Sequence, residues 1–198
     1  MGPGVLSVAP GDHVVTSFLP ACGHCRFCAQ GRSNLCDKGA TIAKGELPTG
    51  TYPFRLDGEP LGGFCMIGAF AQHTLLSEFS CVRIDPWIAL DTAALVACSV
   101  PTGWGSAVYS GGVRPGDTVL VVGLGGVGIN AVQGAVHAGA MHVIGVDPVA
   151  MKREFAESLG ATHTVAGTDE ATGLARQLSR GTGADVVIIT VGKMSADA

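Results

Sequence analysis

From Thr118 to Val146 the chain runs 29 residues without an Asp, Glu, Lys or Arg. Such a run must be kept from water along most of its length, and that restricts the fold severely. It is long enough to cross a bilayer. Six glycines between Gly123 and Gly139, with Asn130, Gln133, His137 and His142 among them, argue instead for a buried strand, a glycine turn and a helix packed on a sheet.

The surrounding pattern extends that reading. From about Arg114 strand-like and helix-like segments alternate. Strands are expected over 118–122, 142–146, 162–165 and 185–191. Helices are expected over 127–138, 148–159 (with Pro148 in the first turn and Gly160 past the end) and 169–180. This order implies a parallel sheet with helices on its faces. Residues 1–100 read as β-rich, with strands over 13–18, 70–76 and 81–84. Residues 37–63, rich in Gly, Pro and Thr, read as a long irregular excursion.

Gly123-Leu124-Gly125-Gly126-Val127-Gly128 fits G-x-G-x-x-G between the first strand and its helix. Gly123 allows the tight turn, Gly125 lets backbone approach a pyrophosphate, and Gly128 lets the helix lie close on the sheet. Asp147 follows Gly128 by 19 residues, at the end of the second strand. A carboxylate there accepts hydrogen bonds from ribose hydroxyls and repels a 2′-phosphate, which favours NAD over NADP. The bland alternative is a structural glycine turn with Asp147 capping a helix.

Cys22, Cys25, Cys28 and Cys36 fall within 15 residues as C-x2-C-x2-C-x7-C. Four thiolates suit zinc and leave no open position, so such a metal is structural. A redox dithiol and an iron–sulfur cluster are the alternatives. Arg26, Arg32 and Lys38 stand where they can offset the site's negative charge, and His24 reads as a solvated loop residue. Cys98, taken alone, reads as a buried, inert cysteine. Seven cysteines behind an N-terminus with no signal-peptide pattern favour a reducing, cytoplasmic compartment. A net charge of -4 offers no field for nucleic acid or anionic lipid.

With these motifs together, the chain resembles the zinc-dependent medium-chain alcohol dehydrogenases. The resemblance rests on the cysteine loop, Val100-Pro101-Thr102-Gly103-Trp104-Gly105-Ser106-Ala107, the glycine loop, and Val146-Asp147 followed by Lys152. It covers essentially the whole chain. Segment 37–68 is similar to the class-I and class-III (formaldehyde-oxidising) branches. Val132-Gln133-Gly134-Ala135 and Gly145-Val146-Asp147-Pro148 are closer to an actinobacterial branch, in which the nicotinamide stays tightly bound and an external acceptor re-oxidises it.

The resemblance implies an α/β chain. Part of a GroES-like β-barrel catalytic domain (1–100) is followed by part of a Rossmann doubly wound parallel sheet (101–198). It implies hydride transfer from a small-molecule alcohol to NAD, zinc polarising the alcohol oxygen, and a homo-oligomeric complete enzyme. Cys98 becomes a ligand of the catalytic zinc. Phe18 and Phe64 become substrate-pocket residues, with core packing as their alternative. Thr102 and Val127 lie on the nicotinamide side, and Gly126 belongs to the pyrophosphate loop. Lys152 lies near the adenosine ribose.

The other catalytic ligands of the family, a Cys and a His, and its proton relay belong before Met1. The remainder of the nucleotide domain belongs after Ala198. The expectation is therefore an internal stretch of such an enzyme, with a start codon assigned inside a longer frame and no turnover by the 198 residues alone. A non-catalytic zinc- and NAD-binding remnant and a piece of a thiol-linked formaldehyde dehydrogenase are the competing readings.

Overall fold

The computed structural model describes residues 1–192 and divides the chain into two compact units, Met1–Ala97 and Cys98–Ala198.

In the first unit, strand β1 (His13–Thr16) pairs antiparallel with β4 (Cys81–Ile84), placing His13 opposite Ile84 and Thr16 opposite Cys81. Between them lies the cysteine loop, which contains two short helical turns, α1 (Arg26–Ala29) and a 3-10 turn at Ser33–Leu35. Residues 37–63 are more ordered than their composition predicts. Single 3-10 turns form at Asp37–Gly39 and Ile42–Lys44, and β2 (Phe54–Leu56) and β3 (Glu59–Leu61) make a hairpin. Asp57 and Gly58, at the hairpin tip, both have positive φ (51° and 87°), the requirement of a primed two-residue turn.

The strand expected over 70–76 does not form. Residues 70–76 find no ladder partner among the described residues. Phe70 and Leu75 stand in solvent, and the Thr74 hydroxyl donates instead to the Ile67 carbonyl. The β-rich reading of residues 1–100 is also corrected at its end. Helix α2 (Leu90–Val96) closes the first unit, and α3 (Ser99–Gly105) opens the second.

In the second unit four parallel strands stand in the order β7–β6–β5–β8: β5 (Thr118–Val122), β6 (His142–Val146), β7 (His163–Val165) and β8 (Val186–Ile189). The register runs Thr118↔His142 through Val122↔Val146 on one side of β5 and Val119↔Val186 through Val122↔Ile189 on the other. Helices α4 (Gly126–His137), α5 (Ala150–Ser158) and α6 (Thr168–Leu178) form the crossovers. Pro148 precedes α5 rather than lying in its first turn. Val149 is the N-cap, in extended conformation.

Alternation along β5 sends its residues into two cores. Val119 and Val121 join Ile129, Val132, Ala135 and Val143 on one face; Leu120 joins Ile144, Val146, Ala171 and Ala175 on the other. Val119, Val121, Val132, Val143 and Ile144 are fully buried, each contributing about 1.5–3 kcal/mol relative to exposure. The uncharged run from Thr118 to Val146 is thus strand, turn, helix and strand. Among the described residues no helix is long and apolar enough to cross a membrane.

This strand order is that of the first half of a doubly wound sheet. The order reverses between β5 and β8, where the crevice beyond the carboxyl ends of the strands takes ligands in such folds.

Candidate functional site

Three sets of residues bear on chemistry. The first is the cysteine loop. The Sγ atoms of Cys22, Cys25, Cys28 and Cys36 all lie within 4.8 Å of one another. Four thiolates around a tetrahedral zinc at about 2.3 Å require sulfur–sulfur separations of about 3.8 Å. The arrangement therefore fits the metal. All four are free thiols. The one-turn helix α1 carries Cys28, and the tight turn through Gly23 (φ 80°) folds Cys22 back toward Cys25.

Backbone groups prepare the sulfurs for deprotonation. The Cys22 N–H donates to Cys36 Sγ and the Cys25 N–H donates to Cys22 Sγ, each at 3.4 Å. N–H groups of Cys28 and Asp37 lower the Cys25 pKa to about 6, and that of His24 lowers Cys22. Cys28 goes the other way, to about 11. It loses water on packing, and its neighbouring sulfurs disfavour a further negative charge. A cation held by the four sulfurs would offset that penalty and favour the thiolate form of Cys28. Lys38 lines a depression of about 380 Å³ beside Cys22 and Cys25, while Arg26 and Arg32 lie 5.1 and 5.9 Å from the Phe27 ring centre. His24 is exposed, with its ring edge toward Phe79.

The second set is the glycine loop. Gly123 follows β5 with φ 91°, a conformation that side chains resist, and a Cβ there would lie 2.9 Å from Val191 Cγ1. A Cβ on Gly128 would lie 1.8 Å from the Gly123 carbonyl oxygen. Gly125 differs. Its φ is −80°, and a Cβ there would meet nothing within 4 Å. Internal packing does not explain glycine at that point. Gly125 and Gly126 are exposed, Val127 is half-buried, and α4 starts there, directing its first N–H groups and the positive end of its dipole outward.

Asp147 stands at the end of β6 with 5% of its surface exposed. Its Oδ2 accepts from the Leu124 N–H at 3.0 Å and pairs with Lys152 Nζ at 3.3 Å; its Oδ1 accepts from the Val149 N–H at 3.0 Å. Burial opposes its ionisation. The two N–H groups and the ammonium outweigh burial and hold its carboxyl below the usual range. The bland alternative is thus partly realised, since Asp147 does brace the turn into α5. It also ties that turn to the glycine loop; Oδ2 already accepts from both Leu124 and Lys152, while Oδ1 accepts one bond and keeps a lone pair. Sequence reasoning missed two contributors. Leu124 is legible only as an x of the motif, yet its N–H fixes the carboxylate. Arg153 donates from Nη1 to the carbonyls of Asp147 and Pro148, at 2.8 and 3.0 Å, and holds the β6–α5 turn in place.

The third set is Cys98, Thr102, Phe18 and Phe64. Cys98 is exposed at the N-cap of α3, which corrects the expectation of a buried, inert thiol. An apolar neighbourhood in sequence hid the fact that α3 starts there. Cys98 belongs to no group of three or more candidate ligands among the described residues. Thr102 is also exposed, four residues along α3. The core-packing alternative fails for both phenylalanines. Phe18 is 42% exposed, and Phe64 is 86% exposed at the rim of a depression also lined by Ile42, Lys44 and Cys65.

Comparison with known proteins agrees with this anatomy. The chain matches the alcohol dehydrogenase GroES-like domain family over residues 1–86 and the zinc-binding dehydrogenase family over residues 126–198. An NDMA-dependent alcohol dehydrogenase of Amycolatopsis methanolica is 58% identical over 192 residues, which are 97% of this chain and 52% of that protein. A putative alcohol dehydrogenase D of Mycobacterium tuberculosis is 52% identical over the same shares. The solved structure of an alcohol dehydrogenase zinc-binding domain protein from Burkholderia ambifaria superposes with a TM-score of 0.81 at 33% identity, covering 97% of this chain and 52% of that one. The chain thus spans about half the length of the relatives it matches, and it belongs to the zinc-dependent medium-chain alcohol dehydrogenase family.

Proposed function

We propose that this chain is the structural-zinc and dinucleotide-binding part of an NAD-dependent alcohol dehydrogenase that moves hydride from a small alcohol to nicotinamide. The observation that carries the reading is the Asp147–Leu124 bond. It joins a carboxylate at the end of β6 to a glycine loop whose Gly125 faces open space at the β5–β8 switch point. A bound nicotinamide supplies the hydride acceptor and a catalytic zinc supplies a Lewis acid for the alcohol oxygen.

The chain's own residues bind and orient. Gly123, Gly125, Gly126, Val127 and Gly128 admit the pyrophosphate against the start of α4. Asp147 accepts from the adenosine ribose, and its charge disfavours a 2′-phosphate. Lys152 pairs with Asp147 Oδ2, which orients the carboxylate, and lies beside that ribose. Thr102 and Val127 bound the nicotinamide side. Cys22, Cys25, Cys28 and Cys36 hold the structural zinc and fix their loop. Cys98 contributes one ligand to the catalytic zinc, and Phe18 and Phe64 line the alcohol site. In the whole enzyme we place the protein in the cytoplasm as a homo-oligomer, with a retained nicotinamide re-oxidised by an external acceptor. The Amycolatopsis relative, named as NDMA-dependent, supports this last element.

Titration of the 198-residue chain with NADH and with NADPH tests the reading. Saturable binding of NADH, at least about tenfold tighter than NADPH, is expected from a carboxylate facing the ribose. Equal affinity for the two, or none for either, would remove its basis. With Cys98 alone among the described residues as a catalytic ligand, the same chain is expected to show no alcohol-dependent NADH formation.

A further inference from the structure

Thr190 sits just past β8 and reaches across the switch point to the glycine loop. Its backbone N–H donates to the Val122 carbonyl at 2.9 Å, continuing the β5–β8 ladder one step. Its hydroxyl lies 2.7 Å from the Gly123 carbonyl oxygen and 3.1 Å from that of Val122. A hydroxyl has one proton, and the shorter contact assigns it to Gly123. The same oxygen fills the space next to both flanking glycines. A Cβ on Gly123 would come within 3.0 Å of Thr190 Oγ1, and one on Gly128 within 2.9 Å. The Gly123 carbonyl is therefore held from two sides, by the Cα of Gly128 and by the Thr190 hydroxyl. It is the first peptide of the turn, so its orientation sets where Leu124, Gly125 and the start of α4 stand above the sheet.

We propose that Thr190 is a positioning residue for dinucleotide binding. Its hydroxyl fixes the Gly123 carbonyl, and through it the height and tilt of the pyrophosphate loop. The inference rests on the nucleotide reading above and adds to the glycine motif a residue more than sixty positions away in sequence. A β-branched residue without the hydroxyl keeps the strand and its packing but leaves a half-buried carbonyl unpaired, so the loop relaxes toward other partners.

The test is calorimetric titration of NADH into the full chain, into Thr190→Val and into Thr190→Ser. Thr190→Val is expected to lose about three- to tenfold in affinity, the range of one neutral hydrogen bond. Thr190→Ser, which keeps the hydroxyl and loses only the methyl, is expected to stay within about twofold of the unsubstituted chain. If Thr190→Val does not fold, Thr190→Ala is compared with Thr190→Ser in its place. Undiminished binding by the valine or alanine variant overturns the proposal, as does an equal loss in the serine variant, which would assign the effect to packing of the methyl. Failure of the unsubstituted chain to bind NADH overturns the nucleotide reading and this proposal together. Binding that ignores the hydroxyl overturns this proposal alone.

Discussion

Gly125 and Gly128 stand three residues apart, and a side chain would meet opposite surroundings at each. A side chain on Gly128 collides with the Gly123 carbonyl, whereas one on Gly125 meets nothing within 4 Å, in the space proposed for the pyrophosphate. Gly128→Ala is accordingly expected to cost about 1–3 kcal/mol of stability, read from denaturant midpoints. Gly125→Val is expected to leave stability within about 0.5 kcal/mol yet abolish measurable NADH binding. A valine variant that binds normally would return Gly125 to a purely structural role. Asp147 gives the residue scale its pH dependence. Its folded pKa lies below that of a free aspartate, so its contribution to stability is present above about pH 3.9 and is lost as pH falls through the folded value. The melting-temperature deficit of Asp147→Asn relative to the unsubstituted chain should therefore shrink between about pH 6 and about pH 3. A deficit that is constant over that window would mean the carboxylate charge is not what the two N–H groups stabilise.

At the scale of elements, the cysteine loop and the parallel sheet draw on different sources of order. The loop from Cys22 to Cys36 has little apolar burial apart from its own sulfurs; α1 buries no residue. The sheet has two cores, with Val119, Val121, Val143 and Ile144 inaccessible. Removing zinc with a chelator should thus release amide protection over residues 22–36 while β5 and β6 remain protected. Hydrogen exchange followed by mass spectrometry reads this directly. Exchange in the loop that ignores the chelator would argue against a metal there.

The elements also show what a sequence hides. β5, α4 and β6 were legible because an uncharged run with a glycine turn has few folded solutions. The β2–β3 hairpin carried the Asp57-Gly58 signal, but Pro60 and the exposed Glu59 and Leu61 masked the strand after it. Helix α3 was masked by Pro101, Gly103 and Gly105. Pro101 is harmless in a first turn, and Gly103 is required because a Cβ there would lie 2.1 Å from the Val127 carbonyl of α4. Local propensity carries no record of such a crossing. The strand expected over 70–76 failed for another reason: its apolar ends flank the polar run Gln72-His73-Thr74, which offers no apolar face, and no partner strand among the described residues completes a ladder.

For the whole molecule, the metal cluster and the nucleotide loop were legible as motifs, since their chemistry fixes residue type and spacing. The residues that hold those motifs in place were not. Leu124 and Arg153 act through backbone N–H groups and carbonyls, and Cys98 and Phe64 owe their exposure to tertiary placement. The central claim is that one chain carries both a structural zinc and a dinucleotide. Native mass spectrometry of the 198-residue protein, expressed with zinc and mixed with NADH, tests it in one spectrum. The account predicts a species heavier than the 20.0 kDa polypeptide by one zinc and one dinucleotide, with the zinc lost in Cys36→Ser and the dinucleotide retained. A spectrum showing only the bare polypeptide, or zinc that persists in Cys36→Ser, would contradict it.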